Sequence, residues 1–237
     1  MDRILTTEKL TVALGGHTVF HNLSFELERG DNLAIIGPNG SGKTVLLKTL
    51  LGFIPPTSGT VLWLPDTRLG YVPQKIDADR HLPINLQNLL EAKARILHRP
   101  NAEMHEVSEL VGLTAKILKT PIGHLSGGQF QKALIAFALL GRPNVVLFDE
   151  PTASLDELSE ARIYELIHEL QDKTGISIIL VSHDLSVVYR YATKVLCLNR
   201  ENICFGTPEE ALTPETLKKL YGAPHQYYHH LHDEHAH

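Results

Sequence analysis

Asn32-Leu33-Ala34-Ile35-Ile36 runs directly into Gly37-Pro38-Asn39-Gly40-Ser41-Gly42-Lys43-Thr44, and apolar residues then continue to Leu51, where Gly52 stops them. A continuous apolar run of strand length, a glycine loop and a following helix commit the chain to a buried strand of the α/β kind. The loop fits G-x-x-x-x-G-K-[ST], in which backbone N–H groups surround phosphates. Gly37, Gly40 and Gly42 let the backbone approach a bulky anion, and a helix beginning near Lys43 points its positive end at it. Lys43 is placed to neutralise β and γ phosphates, and Thr44 to put its hydroxyl on Mg²⁺. A glycine-rich turn before an ordinary helix is the simpler alternative, and the strand–loop–helix context weighs against it.

Two further runs, Val145 to Phe148 and Ile176 to Ser182, read as buried strands. Helical spacing from Leu158 to Gln171 separates them, with Leu158, Ala161, Ile163, Leu166, Ile167 and Leu170 as its apolar positions. This alternation predicts a parallel, right-handed βαβ core. Upstream, Leu10 to Leu14 and Leu23 to Leu27 alternate apolar and polar residues around Gly15-Gly16, as half-buried antiparallel strands do. Between Pro73 and Leu125 the spacing turns helical, in Leu86 to Leu97 and Ala102 to Val111, with no convincing strand. A helical subdomain inserted at about 75–140 accounts for it. Val195 to Leu198 and Ile203 to Phe205 predict a hairpin, and Pro208 and Pro214 open two short helices. The folded unit is expected over 1–222, with a histidine-dense, flexible tail over 223–237.

Asp149 and Glu150 end a wholly apolar strand, where carboxylates are costly unless they meet a cation or a water to activate. Asp149 suits the outer shell of a metal ion, and Glu150 a general base or water-positioning group for in-line attack on a γ-phosphate. Two acids at a solvated strand end is the plainer reading of the hexapeptide, and it loses weight because the glycine loop needs such a partner.

Hydrophobic residues make up 43% of the 237, ample for a buried core, and the net charge of −5 excludes a broad basic face for nucleic acid. No apolar run approaches the roughly 20 residues of a membrane span, so a cytoplasmic chain is expected. Cys197 and Cys204 form neither a C-x-x-C pair nor a disulfide framework and are expected as packed thiols.

In order and spacing these motifs resemble those of ATP-binding cassette (ABC) ATPases over nearly the whole chain. The resemblance implies a P-loop, RecA-like core with an N-terminal antiparallel β subdomain and an inserted helical subdomain. It implies that Gln74, in Tyr71-Val72-Pro73-Gln74, touches Mg²⁺ or the attacking water and reports to a membrane subunit. Leu125-Ser126-Gly127-Gly128-Gln129 matches the signature, Ser154-Leu155-Asp156 the D-loop, and His183 the switch histidine near the γ-phosphate. Ser126 as helix N-cap, with the bare backbone of Gly127 and Gly128, offers N–H donors to an anion. Because the loop already holds one nucleotide, the family's head-to-tail homodimer, in which each signature closes over the partner's ATP, gives this second anion site its use.

Three positions depart from the pattern. Leu14 stands where an aromatic residue commonly stacks on adenine, with Phe20 or His17 as substitutes. Phe137 and Lys132 stand where arginines are common after the signature. Without membrane spans, the chain resembles the separate ATPase subunit of a bacterial importer, peripheral on the inner face of the membrane through its permease. Tyr71-Val72-Pro73-Gln74-Lys75 with Leu82-Pro83-Ile84-Asn85, and Val195 to Asn199 with Gly206-Thr207-Pro208-Glu209, resemble the zinc and manganese uptake (Znu-type) subfamily. That resemblance implies a periplasmic or surface metal-binding protein upstream of the permease. His225, His229, His230, His232, His235 and His237, with Asp233 and Glu234, could gather Zn²⁺ in a buffering or sensing tail. A solubilising tail and a tag fragment are the plainer readings. Siderophore uptake and release of a cell-surface complex stay open as alternatives to metal import.

Overall fold

A computed structural model of the chain describes residues 2–74, 76, 84–153 and 155–222. Two sheets divide the β structure. In the first, β1 (Arg3–Leu14) and β2 (His17–Glu28) form an antiparallel ribbon turned by Gly15 and Gly16, both at positive φ as a tight two-residue hairpin turn requires. Their inward residues, among them Leu10, Val12, Phe20, Leu23 and Leu27, are buried against the second sheet. The predicted alternation is present, but both strands run well beyond the predicted segments.

In the second sheet, β3 (Asn32–Ile36) is buried throughout and leads into α1 (Lys43–Leu50). Gly42 caps this helix in the left-handed conformation, and Gly52, at φ 77°, ends the turn after it. Next come β4 (Ser58–Trp63), which pairs antiparallel with β1, and β5 (Leu69–Val72), which pairs parallel with a later strand. Neither was expected. β4 opens Ser-Gly-Thr, a poor strand composition, and Gly59 fits only because a Cβ there would meet the Lys9 carbonyl oxygen at 2.4 Å.

The expected helical region contains α2 (Leu86–Ile96), α3 (Asn101–Leu110), the short α4 (Ala115–Leu118) and α5 (Gly127–Leu139). They pack on Leu90, Met104, Val107, Ile135 and Leu139. Buried Glu103 accepts from Arg99 at 2.6 Å and from the Gly141 N–H at 2.7 Å, fixing α3 to the end of α5.

The core then resumes with β6 (Val145–Asp149), α6 (Glu157–Thr174), β7 (Ser177–Val181), α7 (Leu185–Tyr191), β8 (Lys194–Leu198) and β9 (Asn202–Gly206). Strand order is β5-β6-β7-β3-β8-β9, parallel except for β9. The chain continues through α8 (Pro208–Ala211) and α9 (Pro214–Tyr221), each opened by proline after a threonine cap.

The expected helix over Leu158 to Gln171 is present, with a narrower buried face than its apolar positions, and one expectation fails. The buried stripe of α6 is Ile163, Tyr164, Ile167 and Leu170, whereas Leu158 and Ala161 face outward, because helix phase is set by packing under β6 and β7. Cys197 and Cys204 are not separate thiols but a disulfide across β8 and β9, with Cα atoms 4.8 Å apart. A separation of seven residues carries no pairing signal. The hairpin turn brings the two opposite each other.

Candidate active site

The C-terminal edge of the parallel sheet carries the candidate chemistry, the usual place for ligands in open α/β sheets. From β3 the chain enters the glycine loop, whose backbone is held very close to its neighbours. A Cβ on Gly37, at φ 155°, would lie 2.0 Å from the Leu198 carbonyl oxygen, and one on Gly42 2.9 Å from Val19 Cγ1. Lys43 is 6% exposed and folds back over the loop, donating to the carbonyls of Gly37 at 2.9 Å and Pro38 at 3.2 Å. Its Nζ also stands 3.7 Å from Glu150 Oε1. Ser41, 2% exposed, has an Oγ with no hydrogen-bond partner among the described residues. A left-handed glycine cap, an orphaned hydroxyl and a lysine held by weak local acceptors fit a phosphate cradle. Asn39 and Gly40 form the loop's exposed turn.

From β6 and the neighbouring β5 come the acids and their partners. Thr44 donates its hydroxyl to Asp149 Oδ1 at 3.0 Å, and Tyr71 donates to Asp149 Oδ2 at 3.4 Å. Burial pushes the Asp149 carboxyl up, the Thr44 hydrogen bond opposes the rise, and Glu150 beside it adds to it. Burial and then the Asp149 charge push the Tyr71 phenol up to about 12. Glu150 stands just past the strand at φ 46°, a conformation rare outside glycine, with its N–H donated to the Val181 carbonyl at 3.2 Å. Gln74 Nε2 donates to Glu150 Oε2 at 2.8 Å. Thr44 with Asp149, and Lys43 with Glu150 and Gln74, therefore form two bonded sets joined through the adjacent residues Asp149 and Glu150. His183 lies at the same sheet edge, exposed in the turn after β7, and has no hydrogen bond to Glu150 among the described residues.

The signature forms a second, separate surface. Ser126 caps α5 by accepting from the Gln129 N–H at 3.3 Å, while the Gln129 side chain accepts from the Ser126 N–H at 3.1 Å. Among the described residues, this box leaves the first-turn N–H groups of Gly127 and Gly128 without a partner, beside a groove of about 370 Å³. Lys132, Asp156 and Arg162 line the same groove. Asp156 caps α6, accepting from the Ser159 N–H at 2.9 Å and hydroxyl at 2.7 Å, and those bonds hold its carboxyl below the usual range. No residue of the glycine loop, nor Asp149 or Glu150, lines this groove.

Of the proposed adenine contacts, Phe20 is excluded. It is fully buried, with its ring under Gly42. Leu14, 44% exposed, and His17 face each other across the hairpin end. Lys75, Leu82, Pro83, Ser154 and His225, His229, His230, His232, His235 and His237 lie outside the described residues. Two site neighbours had no role assigned from the sequence: Tyr71, bonded to Asp149, and Tyr221 of α9, whose phenol burial pushes up while the Gly37 backbone opposes the rise.

The family profile described as ABC transporter matches residues 20–153, more than half of the chain. The zinc import ATP-binding protein ZnuC of Chromohalobacter salexigens is 38% identical over 219 residues, covering 92% of this chain and 90% of that protein. ZnuC of Pseudomonas savastanoi pv. phaseolicola is 38% identical over 239 residues, covering 100% and 88%. Among solved structures, a metal-chelate-type ABC transporter in an inward-facing conformation superposes with a TM-score of 0.85 at 28% identity, covering 96% of this chain and 94% of that one. With its profile match, its relatives at this identity and a phosphate loop facing Asp149 and Glu150, the chain belongs to the ATP-binding subunits of ABC transporters.

Proposed function

We propose that this chain is the ATP-hydrolysing motor of an importer for divalent metal ions, with zinc the first cargo to test and manganese the second. The observation that carries the motor is the placement of two bonded sets, Thr44–Asp149 and Lys43–Glu150–Gln74, side by side at the mouth of the glycine loop. The phosphates of ATP replace the Gly37 and Pro38 carbonyls as partners of Lys43, with the loop N–H groups completing the cradle. Drawing Lys43 towards phosphate leaves Glu150 free to take a water proton, so that the water oxygen bonds to the γ-phosphorus as the bond to the ADP oxygen breaks. Thr44 Oγ1 and Asp149 would hold Mg²⁺, which supplies charge neutralisation of the phosphates when bound. Gln74 and His183 orient the attacking water and the γ-phosphate.

The bare N–H groups of Gly127 and Gly128 then close over the ATP of a second copy, with Asp156 beside them, in a head-to-tail homodimer. Its opening and closing would drive an integral-membrane permease, with the chain peripheral on the cytoplasmic face and a metal-binding protein delivering cargo outside. Among the described residues no helix is long and apolar enough to cross a membrane, so the transport path belongs to that permease. The ZnuC relatives support the zinc reading, as does the histidine tail.

Reconstitution with the permease tests the cargo: ATP-dependent uptake should favour Zn²⁺ over Mn²⁺ and Fe²⁺, and uptake of none of the three would end the metal reading. For the tail, Zn²⁺ is titrated into the full chain and into a chain truncated after Gly222. Equal affinity and equal ATPase response would remove it from the scheme.

A further inference from the structure

The mechanism above leaves one buried polar chain unused. Tyr164, on the inner face of α6, is 4% exposed. Its hydroxyl lies 3.0 Å from Thr152 Oγ1 and 3.3 Å from Ser182 Oγ. Thr152 donates to Glu160 Oε1 at 2.7 Å, and the Asp184 N–H donates to Ser182 Oγ at 3.0 Å. An ionised carboxylate only accepts, so the Glu160 end fixes every direction in the chain. Asp184 N–H donates to Ser182, Ser182 to Tyr164, Tyr164 to Thr152, and Thr152 to Glu160. Each of the three hydroxyls donates once and accepts once, the arrangement in which buried bonds polarise one another.

The positions of its ends give this chain its consequence. Thr152 is two residues past Glu150, in a turn closed by the Ala153 N–H on the Glu150 carbonyl at 3.3 Å. Ser182 immediately precedes His183, and Asp184 immediately follows it as the cap of α7. Glu150 holds a left-handed backbone that its own side chain does not favour, so the turn behind it must be fixed from elsewhere. Among the described residues, Tyr164 is the one side chain that bonds to both turns.

We propose that Tyr164 is a positioning residue that sets the Glu150 turn and the His183 turn at a fixed spacing, acting through Thr152 on one side and Ser182 on the other. It touches no reacting atom. The inference rests on the roles given above to Glu150 and His183, and the two can fail separately.

Tyr164→Phe keeps the ring in the core and removes the shared hydroxyl. Its steady-state ATPase should show kcat lowered roughly tenfold with KM for ATP within about twofold, the pattern of an interaction that matters only at the chemical step. Ser182→Ala should lower kcat to a similar degree, and the double variant should be no worse than about twofold below either single one, since members of one network are not additive. Thr152→Ser, which restores the hydroxyl, should keep kcat within about twofold of the parent, while Thr152→Val should fall with Tyr164→Phe. An unchanged kcat in Tyr164→Phe overturns the proposal. So do multiplicative losses in the double variant, or a Thr152→Ser loss equal to that of Thr152→Val, either of which marks general damage to the fold. If instead Glu150→Gln and His183→Ala turn over normally, the site assignment itself is wrong, whatever Tyr164 does.

Discussion

Glu150 meets both Lys43 and Gln74 with one side chain, from a backbone it would not adopt unaided. Replacing it with Gln keeps the shape and removes the base, so kcat should fall by at least ~10²-fold while ATP binding persists, measured by phosphate release against equilibrium dialysis. Lys43→Ala acts on the ground state instead. It should weaken ATP binding by roughly 10–100-fold, in line with ~1.5–3 kcal/mol for a charge-assisted contact, and unchanged affinity would refute the cradle. Gly37→Ala tests the loop backbone. The added methyl meets the Leu198 carbonyl at 2.0 Å, so unfolding in urea should show a loss of about 1–3 kcal/mol or more. The motif marks Gly37 as a phosphate ligand. Only the structure shows that β8 makes the same demand.

Between elements, α2 is held to α5 by Lys93, whose ammonium donates to the Phe137 carbonyl and sits 4.1 Å from the centroid of the Phe137 ring. Phe137, out of place against the family pattern, thus serves as a cation seat. Burial pulls the Lys93 ammonium down to about 8 from 10.5. Between those values the unfolded chain binds the proton that the folded chain has released, so stability should rise with pH across that window, and below about 8 the contribution is constant. Measured as urea midpoints, the parent should gain on Lys93→Met from pH 8 to pH 10, and parallel pH curves would contradict this. A similar close fit explains why β5 was missed. A Cβ on Gly70 would stand 2.9 Å from the Ala138 carbonyl, so the glycine that weakens the strand signal is what lets α5 lie against it.

For the whole molecule, the phosphate loop and the signature groove are separate surfaces of one chain, and the proposed clamp needs both to meet across two copies. Glu150→Gln with ATP and Mg²⁺ should therefore elute as a dimer in size-exclusion chromatography and as a monomer without nucleotide, and a species that stays monomeric in ATP would refute the clamp. The sequence by itself determined the parallel core, because β3, β6 and β7 are buried on both faces and read as unbroken apolar runs. It also offered the phosphate loop and the two acids as candidates, because a bound triphosphate demands those residue types at that spacing, and the signature through its family resemblance. Only the tertiary structure decided which face of α6 is buried, that β4 and β5 are strands, that Cys197 faces Cys204, and that Phe20 is core rather than base contact. Each of these depends on what packs opposite, and contacts between residues far apart in the chain leave no periodicity along it.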